Sequence, residues 1–174
     1  QGGIAQDEKF SPMGSLTSFE RYVRLMNEKP VPESGLIVLP ETIFPIPLQQ
    51  LKPEIWWKFT HVTNGNAALM FGGFLRGEDG YRNTAVLVEH EKIVQSYTKK
   101  HLVPFGEYVP TGFRWFIDML QIPMGDLLKG TTDQKAFEID GVAAAPLLCY
   151  EDLFASEIRE WWQGGKAPNL LVNL

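Results

Sequence analysis

Short, unbroken apolar runs that alternate with amphipathic segments are the feature of this sequence that most constrains its fold. Residues 36–39 form such a run, which is typical of a strand buried on both faces, and Glu41 follows its carboxyl end. Ser15–Glu28 before the run and Pro53–Val62 after it carry apolar residues at helical spacing, and Ala67–Phe74 reads as the next strand. The order helix, strand, helix, strand predicts an α/β sheet.

The second half of the sequence continues with strands. Acidic and polar residues separate two of them, and an Asp-Gly pair, which favours a hairpin turn, separates the next two. In chain order, the predicted elements are paired strands at Ala85–Val88 and Lys92–Tyr97, strands at Lys135–Ile139 and Val142–Tyr150 on either side of Asp140-Gly141, a helix at Leu153–Gln163 and a strand beginning at Leu170–Asn173.

Charge and hydropathy exclude two classes of protein. The chain has 16 Lys and Arg against 21 Asp and Glu among 174 residues, with no basic stripe, so nucleic acid is excluded as a partner. The longest stretch of apolar, Gly and Pro residues is Gly141–Tyr150, whereas a helix that crosses a bilayer needs about 20 residues. We therefore expect no membrane span in this segment.

The single cysteine excludes an internal disulfide framework and a zinc site made of thiolates, but it leaves one nucleophilic thiol. Cys149 follows the apolar strand residues Ala143–Leu148 and precedes a helical pattern, so it is predicted to lie at a strand-to-helix turn. Unpaired N–H groups at a helix start favour a thiolate, and the N–H of Tyr150 is placed to hold an oxyanion. The alternative is that Cys149 is a small buried hydrophobic residue.

Three further positions carry groups that could assist a thiol. Glu41 lies where open α/β sheets assemble their sites and could take the thiol proton. Lys99 and Lys100 are adjacent, so on an extended chain one faces inward and the other faces water. Glu107 lies between aromatic residues. Glu41 also has an ordinary interpretation as a solvated or helix-capping acid, and the two lysines have one as a surface basic pair.

Several blocks of sequence together carry a family resemblance. They are Pro40-Glu41, Tyr97-Thr98-Lys99, the block 101–110 that reads His-Leu-Val-Pro-Phe-Gly-Glu-Tyr-Val-Pro, Cys149-Tyr150-Glu151, and the opening residues 1–6 before Lys9-Phe10. In these blocks the chain resembles the nitrilase (carbon–nitrogen hydrolase) superfamily and, within it, the periplasmic domain of the apolipoprotein N-acyltransferase family. The likeness covers the whole chain.

The resemblance implies a fold and the extent of a domain. It implies a nitrilase-like α-β-β-α sandwich of four layers, of which residues 1–174 are part of one catalytic domain, without the membrane-embedded helices that the family carries. The chain departs from the family at Phe10, where a tryptophan is common. Compared with the family, the chain also starts after the residues of the first strand and stops before the family's Asn-Asp-x-Trp block. We therefore expect it to be a piece of a longer protein.

The resemblance also assigns roles to site residues. It makes Glu41 the general base, Lys99 the residue that stabilises the tetrahedral intermediate and Cys149 the nucleophile. Lys100 becomes the outward-facing lysine. The supporting residues that the resemblance implies are Glu107, which positions Lys99 or the amine, and Tyr150 and Glu151, which follow the nucleophile.

The function implied is acyl transfer without a metal or cofactor. A phospholipid donates an acyl chain to the cysteine as a thioester, and the N-terminal amine of a diacylglyceryl-cysteine apolipoprotein then takes the chain. The location implied is the bacterial inner membrane, with the domain on its periplasmic side.

The apolar segment Tyr108–Leu128 is interpreted as a mobile lid at the membrane surface, and its alternative is a helix of the core. The candidate residues for lipid or substrate contact are Phe10, Phe113, Trp115, Phe116 and Met119.

Three other functions stay open at this level. A soluble amidase of the same superfamily would use Glu41, Lys99 and Cys149 on a small amide, and would not need the apolar segment. A non-catalytic interaction module would keep the sandwich alone. A cysteine protease would need a histidine as the partner of Cys149, and the chain has His61, His90 and His101. These three histidines do not have the spacing of metal ligands.

Overall fold

Two β-sheets packed face to face, with helices on the outer face of the first, make up the part of the chain that the structure describes. The computed structural model describes residues 12–28, 34–63, 67–108, 126–163 and 167–174. The α-helices are α1 (Pro12–Asn27), α2 (Pro53–Thr60) and α3 (Ala155–Glu160), and 3₁₀ helices lie at Leu48–Gln50, His61–Thr63 and Cys149–Leu153. None of these helices is long and apolar enough to cross a membrane.

The first sheet has the strand order β1-β2-β3-β4. Its strands are β1 (Leu36–Val38), β2 (Ala68–Arg76), β3 (Tyr81–Glu89) and β4 (Lys92–Thr98). β1 is parallel to β2, and the other neighbours are antiparallel. The predicted pairing of the third and fourth strands is confirmed, and both residues of the turn between them, His90 and Glu91, have positive φ, as a tight hairpin requires.

The second sheet has the order β5-β6-β7, with β5 at Phe137–Ile139, β6 at Val142–Leu147 and β7 at Leu170–Asn173. β5 and β6 form the hairpin that the Asp-Gly pair predicts, and Asp140 and Gly141 have φ values of 48° and 83°. β6 is parallel to β7. The carboxyl ends of these two parallel strands therefore lie side by side, and Cys149 follows one of them.

Two hydrophobic clusters hold the layers together. Between the sheets, buried side chains of β2, β3 and β4 meet those of β5, β6 and β7, with Tyr97 and Trp161 in contact at 5.3 Å between ring centroids. On the outer face of the first sheet, α1 and α2 pack through Phe19 and Phe59 against Phe71. The α/β prediction is confirmed, and the described residues build helix, sheet and sheet, three layers of the predicted sandwich.

Two predicted elements differ from the structure. Residues 36–39 were expected to be buried on both faces, but β1 is the edge of the described sheet and its Val38 is 44% exposed. The single helix expected over Leu153–Gln163 is divided, because Phe154 (φ −99°, ψ 81°) leaves the helical region between the 3₁₀ helix and α3.

The aromatic cluster beneath the first sheet generates a prediction of stability. Phe59 is fully buried, with rings of Phe44 and Phe71 edge-on at 5.1 Å each. Phe59→Ala therefore leaves a cavity and is expected to cost about 3–5 kcal/mol of unfolding free energy. Trp57→Ala, a change to an exposed aromatic of the same helix, is the control and is expected to cost less than about 1 kcal/mol. Thermal unfolding measures both, and equal losses would contradict this account of the core.

Candidate active site

A buried lysine between two carboxylates is the centre of the site. Lys99, directly after β4, is 1% exposed, and its Nζ donates to Glu41 Oε1 at 3.1 Å and to Glu107 Oε1 at 3.0 Å. Burial alone would lower the pKa of Lys99, but the charges of Glu41 and Glu107 outweigh it and raise that pKa. Lys99 is therefore an ammonium at neutral pH, held where no bulk water competes for its protons.

The backbone around Glu41 is pressed against the second strand of the first sheet. The N–H of Gly72 donates to Pro40 O, and the N–H of Ile43 donates to Gly72 O, each at 3.2 Å. A Cβ placed on Gly72 would lie 2.7 Å from Glu41 Cα. This close approach accepts only glycine, and it sets the height of the Glu41 carboxylate above the sheet.

Glu107 is placed by a tight loop that closes on itself. The N–H of Phe105 donates to Tyr108 O and the N–H of Glu107 donates to Val103 O, both at 2.8 Å. The carboxylate folds back onto the same loop, since Glu107 Oε2 accepts the N–H of Val103 at 2.8 Å. One carboxylate oxygen of Glu107 is thus held by its own loop, while the other accepts a hydrogen bond from Lys99 Nζ.

Sequence reasoning missed Asn83, which belongs to the same cluster. Asn83 is on β3, 2% exposed, and its Nδ2 lies 2.6 Å from Glu41 Oε1 and 2.6 Å from Glu107 Oε1. Its main-chain oxygen also accepts the N–H of Lys99 at 2.8 Å. The available signal was a polar pair, Asn83-Thr84, that begins an apolar strand.

Cys149 occupies the turn after β6. It has φ 56°, a left-handed conformation that is uncommon for a residue with a side chain, and its N–H donates to Leu174 O at 3.1 Å. The side chain is exposed, so the interpretation as a buried hydrophobic residue is wrong. The helix that follows is a 3₁₀ helix of five residues, so its macrodipole is weaker than that of the longer helix predicted.

Glu151 connects the turn that carries the cysteine to the chain that follows β4. Its buried carboxylate accepts the N–H of Leu148 at 2.9 Å, of Lys100 at 2.7 Å and of His101 at 3.1 Å, and the hydroxyl of Tyr97 at 3.2 Å. Burial raises the pKa of Glu151, and these donors oppose the rise. The carboxylate thereby fixes the lysine segment relative to the cysteine segment.

Tyr150 brings the two segments into contact. Lys99 Nζ lies 5.6 Å from the centroid of the Tyr150 ring, and the Tyr150 hydroxyl donates to Leu102 O at 2.9 Å. Burial raises the pKa of Tyr150, and its hydroxyl interacts electrostatically with Lys99, Glu107 and Cys149. The residue next to the thiol therefore covers the ammonium.

Lys100 corrects one prediction. It does lie away from the carboxylates that hold Lys99, but its side chain is only 9% exposed and does not extend into water. Its Nζ pairs with Glu160 Oε2 at 3.0 Å and lies 5.4 Å from the ring of Trp161. The helix that supplies these two groups follows Lys100 by some sixty residues, so the contact depends on tertiary packing.

Two of the three histidines have partners away from the lysine cluster. His101 Nδ1 lies 2.9 Å from Glu157 Oε1, with its ring stacked on Phe154, and His61 Nδ1 lies 2.8 Å from Glu91 Oε1. Within the described ranges, no group of three or more His, Cys, Asp or Glu side chains is arranged to hold a metal ion.

The predicted lid and contact residues lie outside the described part of the chain. The contact residues are Phe10, Phe113, Trp115, Phe116 and Met119. Of the apolar segment Tyr108–Leu128, the structure describes only residues 108 and 126–128. Their role stays a prediction.

No family model matches the chain, but curated relatives do. It is 40% identical to an apolipoprotein N-acyltransferase of Ralstonia nicotianae over 178 residues, which cover 100% of this chain and 34% of the relative. It is 36% identical to an apolipoprotein N-acyltransferase of Bordetella bronchiseptica over 184 residues, covering 95% of this chain and 34% of the relative. The chain spans about a third of the length of the curated relatives it matches.

Solved structures show the fold. A CN-hydrolase superfamily protein of Xanthomonas campestris, whose structure has an arsenic adduct in its active site, matches with TM-score 0.61 at 19% identity, over 92% of this chain and 58% of that one. A glutamine-dependent NAD+ synthetase of Acinetobacter baumannii matches with TM-score 0.54 at 17% identity, over 91% of this chain and 28% of that one. The predicted nitrilase-like fold class is confirmed, for the part of the fold that the chain contains.

Adjacent glycines of β2 provide a test of how Glu41 is positioned. A Cβ at Gly72 meets the backbone of Glu41, whereas a Cβ at Gly73 meets only the side chain of Leu48, at 3.1 Å. Under the roles that the family resemblance implies, Gly72→Ala is expected to displace Glu41 and to lower acyl-enzyme formation at Cys149 by about 10²-fold or more. Gly73→Ala is the matched control and is expected to stay near the wild-type rate. Equal rates for the two variants would show that the close approach does not position Glu41.

Alkaline pH should destabilise the fold through Tyr97 and Lys99. Burial raises the pKa of Tyr97 above its ordinary value of 10.0, and the pKa of Lys99 is raised above 10.5. Both groups keep their protons in the folded state while the unfolded chain loses them, so the stability present below pH 10 is lost as pH rises beyond it. Denaturant unfolding at a series of pH values should show this fall, and Tyr97→Phe should reduce its slope. Tyr81→Phe, at an exposed tyrosine, is the control; an equal effect would contradict the assignment.

Proposed function

Because the chain is homologous to apolipoprotein N-acyltransferases over its whole length, we propose that it supplies the catalytic residues for N-acylation of bacterial lipoproteins. The protein transfers an acyl chain from a phospholipid to the N-terminal amine of a diacylglyceryl-cysteine apolipoprotein. The observation that carries the proposal is the buried Lys99 ammonium between Glu41 and Glu107, with the ring of Tyr150, the residue after an exposed cysteine in a strained turn, 5.6 Å from it.

The first half-reaction forms a thioester. Glu41 takes the proton of the Cys149 thiol, and the sulfur attacks the ester carbonyl of the phospholipid. The oxyanion of the tetrahedral intermediate is stabilised by the Lys99 ammonium. When the intermediate collapses, the ester C–O bond breaks, and Glu41 gives its proton to the oxygen of the departing lysophospholipid.

In the second half-reaction the sulfur of Cys149 is the leaving group, and Glu41 carries a proton from the amine to it. The neutral amine of the apolipoprotein attacks the thioester carbonyl, and Glu41 removes a proton from the nitrogen. The C–S bond breaks, the amide is formed, and the thiol is restored when Glu41 returns the proton to sulfur. One carboxylate therefore serves both halves of a ping-pong cycle.

Apolar surface beside the catalytic loops supports lipid substrates. Leu153, in the same 3₁₀ helix as Cys149, is 74% exposed, and Phe105, in the loop that carries Glu107, is also exposed. Substrates that are anchored in a bilayer need such surface near the reacting atoms. We place the domain at the inner membrane, on its periplasmic face, with the phospholipid donor and the apolipoprotein acceptor as its partners.

Intact mass spectrometry tests the thioester. A full-length acyltransferase that contains this chain, in detergent micelles with a diacyl phospholipid, should gain one acyl chain on Cys149 that hydroxylamine removes. Cys149→Ala should gain none, and Glu41→Gln should gain it much more slowly. If the wild-type protein stays unmodified but hydrolyses small amides through Cys149, the amidase function is correct. If it does neither, the chain is an interaction module.

The two adjacent lysines form a matched pair for the role of Lys99. Lys99→Met removes the ammonium from between the two carboxylates and is expected to slow acyl-enzyme formation by about 10²–10³-fold. Lys100→Met removes only the contact with Glu160 and Trp161, so it is expected to stay within a few-fold of the wild type. Similar losses in both variants would contradict the role given to Lys99. His101→Gln should likewise keep activity, and its inactivation would favour a Cys–His mechanism.

A further inference from the structure

Asn83 contacts every charged residue of the lysine cluster, two through their carboxylates and Lys99 through its main chain. Its Nδ2 donates to Glu41 Oε1 and to Glu107 Oε1, the same two oxygens that accept from Lys99 Nζ. Its main-chain oxygen accepts the N–H of Lys99. Two donors, one charged and one neutral, thus lie between the same pair of carboxylate oxygens.

The chemistry of the cluster explains why a neutral double donor is needed there. Two carboxylates close to one ammonium carry one excess negative charge, and like-charged carboxylates tend to share a proton. A side-chain amide nitrogen has two hydrogens, one for each oxygen, and donors to the charged form favour that form. An amide oxygen at the same 2.6 Å distances would be repelled, so the amide nitrogen is the atom that faces the carboxylates.

The rest of the Asn83 side chain shows that packing alone does not explain it. Its Oδ1 is buried and has no hydrogen-bond partner among the described residues. A buried acceptor without a partner destabilises a fold, so packing alone would not favour an amide at this position. The residue is therefore explained by what its nitrogen does.

We propose that Asn83 is a positioning residue for acyl transfer: its amide bridges Glu41 and Glu107 and holds Glu41 ionised and oriented as the base for Cys149. This inference rests on the proposed function, because it takes Glu41 as the base. The other titratable groups around the cluster are Lys99 itself and, through electrostatic interaction with the hydroxyl of Tyr150, Tyr108 and Cys149. These are thiol, phenol and ammonium groups, so Glu41 and Glu107 are the carboxylates on which the amide of Asn83 acts directly.

The test is the pH dependence of acyl-enzyme formation in the full-length acyltransferase. Asn83→Ala removes a donor from both carboxylates. The acid limb of the profile, which is the pH range where the rate rises with pH, is therefore expected to move up by about one pH unit. At pH values below this range, the variant is then about tenfold slower than the wild type. Asn83→Asp keeps the shape but adds a third acid, so its limb is expected to move further. This isosteric variant also retains the test if the alanine variant fails to fold.

The matched control is Thr84→Val. Thr84 is adjacent on β3, equally buried and on the opposite face of the sheet, so this change should leave the profile where it is. A purely structural role for Asn83 would lower the unfolding temperature and reduce the rate by the same factor at every pH. That result, or an acid limb that does not move in folded variants, would overturn the proposal.

A second readout separates this proposal from the proposed function. Alkylation of Cys149 by iodoacetamide, followed on the Cys149 peptide, depends on the base but not on a phospholipid. If alkylation shifts in Asn83→Ala while the wild type forms no acyl-enzyme, the bridge is supported and the acyl donor is wrong. If the acyl-enzyme forms and neither profile moves, the donor is right and the bridge is wrong.

Discussion

The ion cluster around Lys99 is the interaction on which the rest of the site depends. An ammonium and two carboxylates removed from water are costly to bury, and the cost is met only when every charge has close partners. The partners come from four places in the chain: the end of β1, the middle of β3, the end of β4 and the 103–108 loop. Removing any one of them leaves buried charge uncompensated, so the first sheet and the site are stabilised together.

A second buried carboxylate, that of Glu151, connects the turn that carries Cys149 to the segment that carries Lys99. Glu151 has no basic side chain against it in the described contacts, but it gathers main-chain N–H groups from both segments that carry the reacting residues. Main-chain donors have little freedom to move, so the distance between the two segments is fixed more firmly than a pair of long side chains could fix it. The exposed Cys149 turn is in this way attached to a rigid, buried support.

Sequence patterns identified the parts of the site that lie at strand ends and missed the parts that depend on packing across strands. Glu41 and Cys149 follow apolar runs, Lys99 follows a predicted strand, and a strand end is visible in a sequence. Asn83 lies inside a strand, and the fit of Gly72 against Glu41 is a contact between distant segments, so neither has a local signature. The burial of Lys100 was missed for the same reason, because Trp161, which lies about sixty residues later in the chain, covers it through tertiary packing.

The lysine cluster is buried whereas the thiol of Cys149 is exposed. This difference is relevant to how an enzyme of this fold could transfer an acyl chain to an amine and not to water. In the proposed mechanism the base and the group that holds the oxyanion are enclosed, so they act in the same way on whatever attacks the thioester. Selection of an amine over water would then act at the exposed Cys149, in the 3₁₀ helix that also carries Tyr150 and the exposed Leu153. Apolar side chains there disfavour water and favour an acceptor that carries lipid chains. In the proposed mechanism, the nitrilase-like fold therefore serves acyl transfer through the surface around one cysteine.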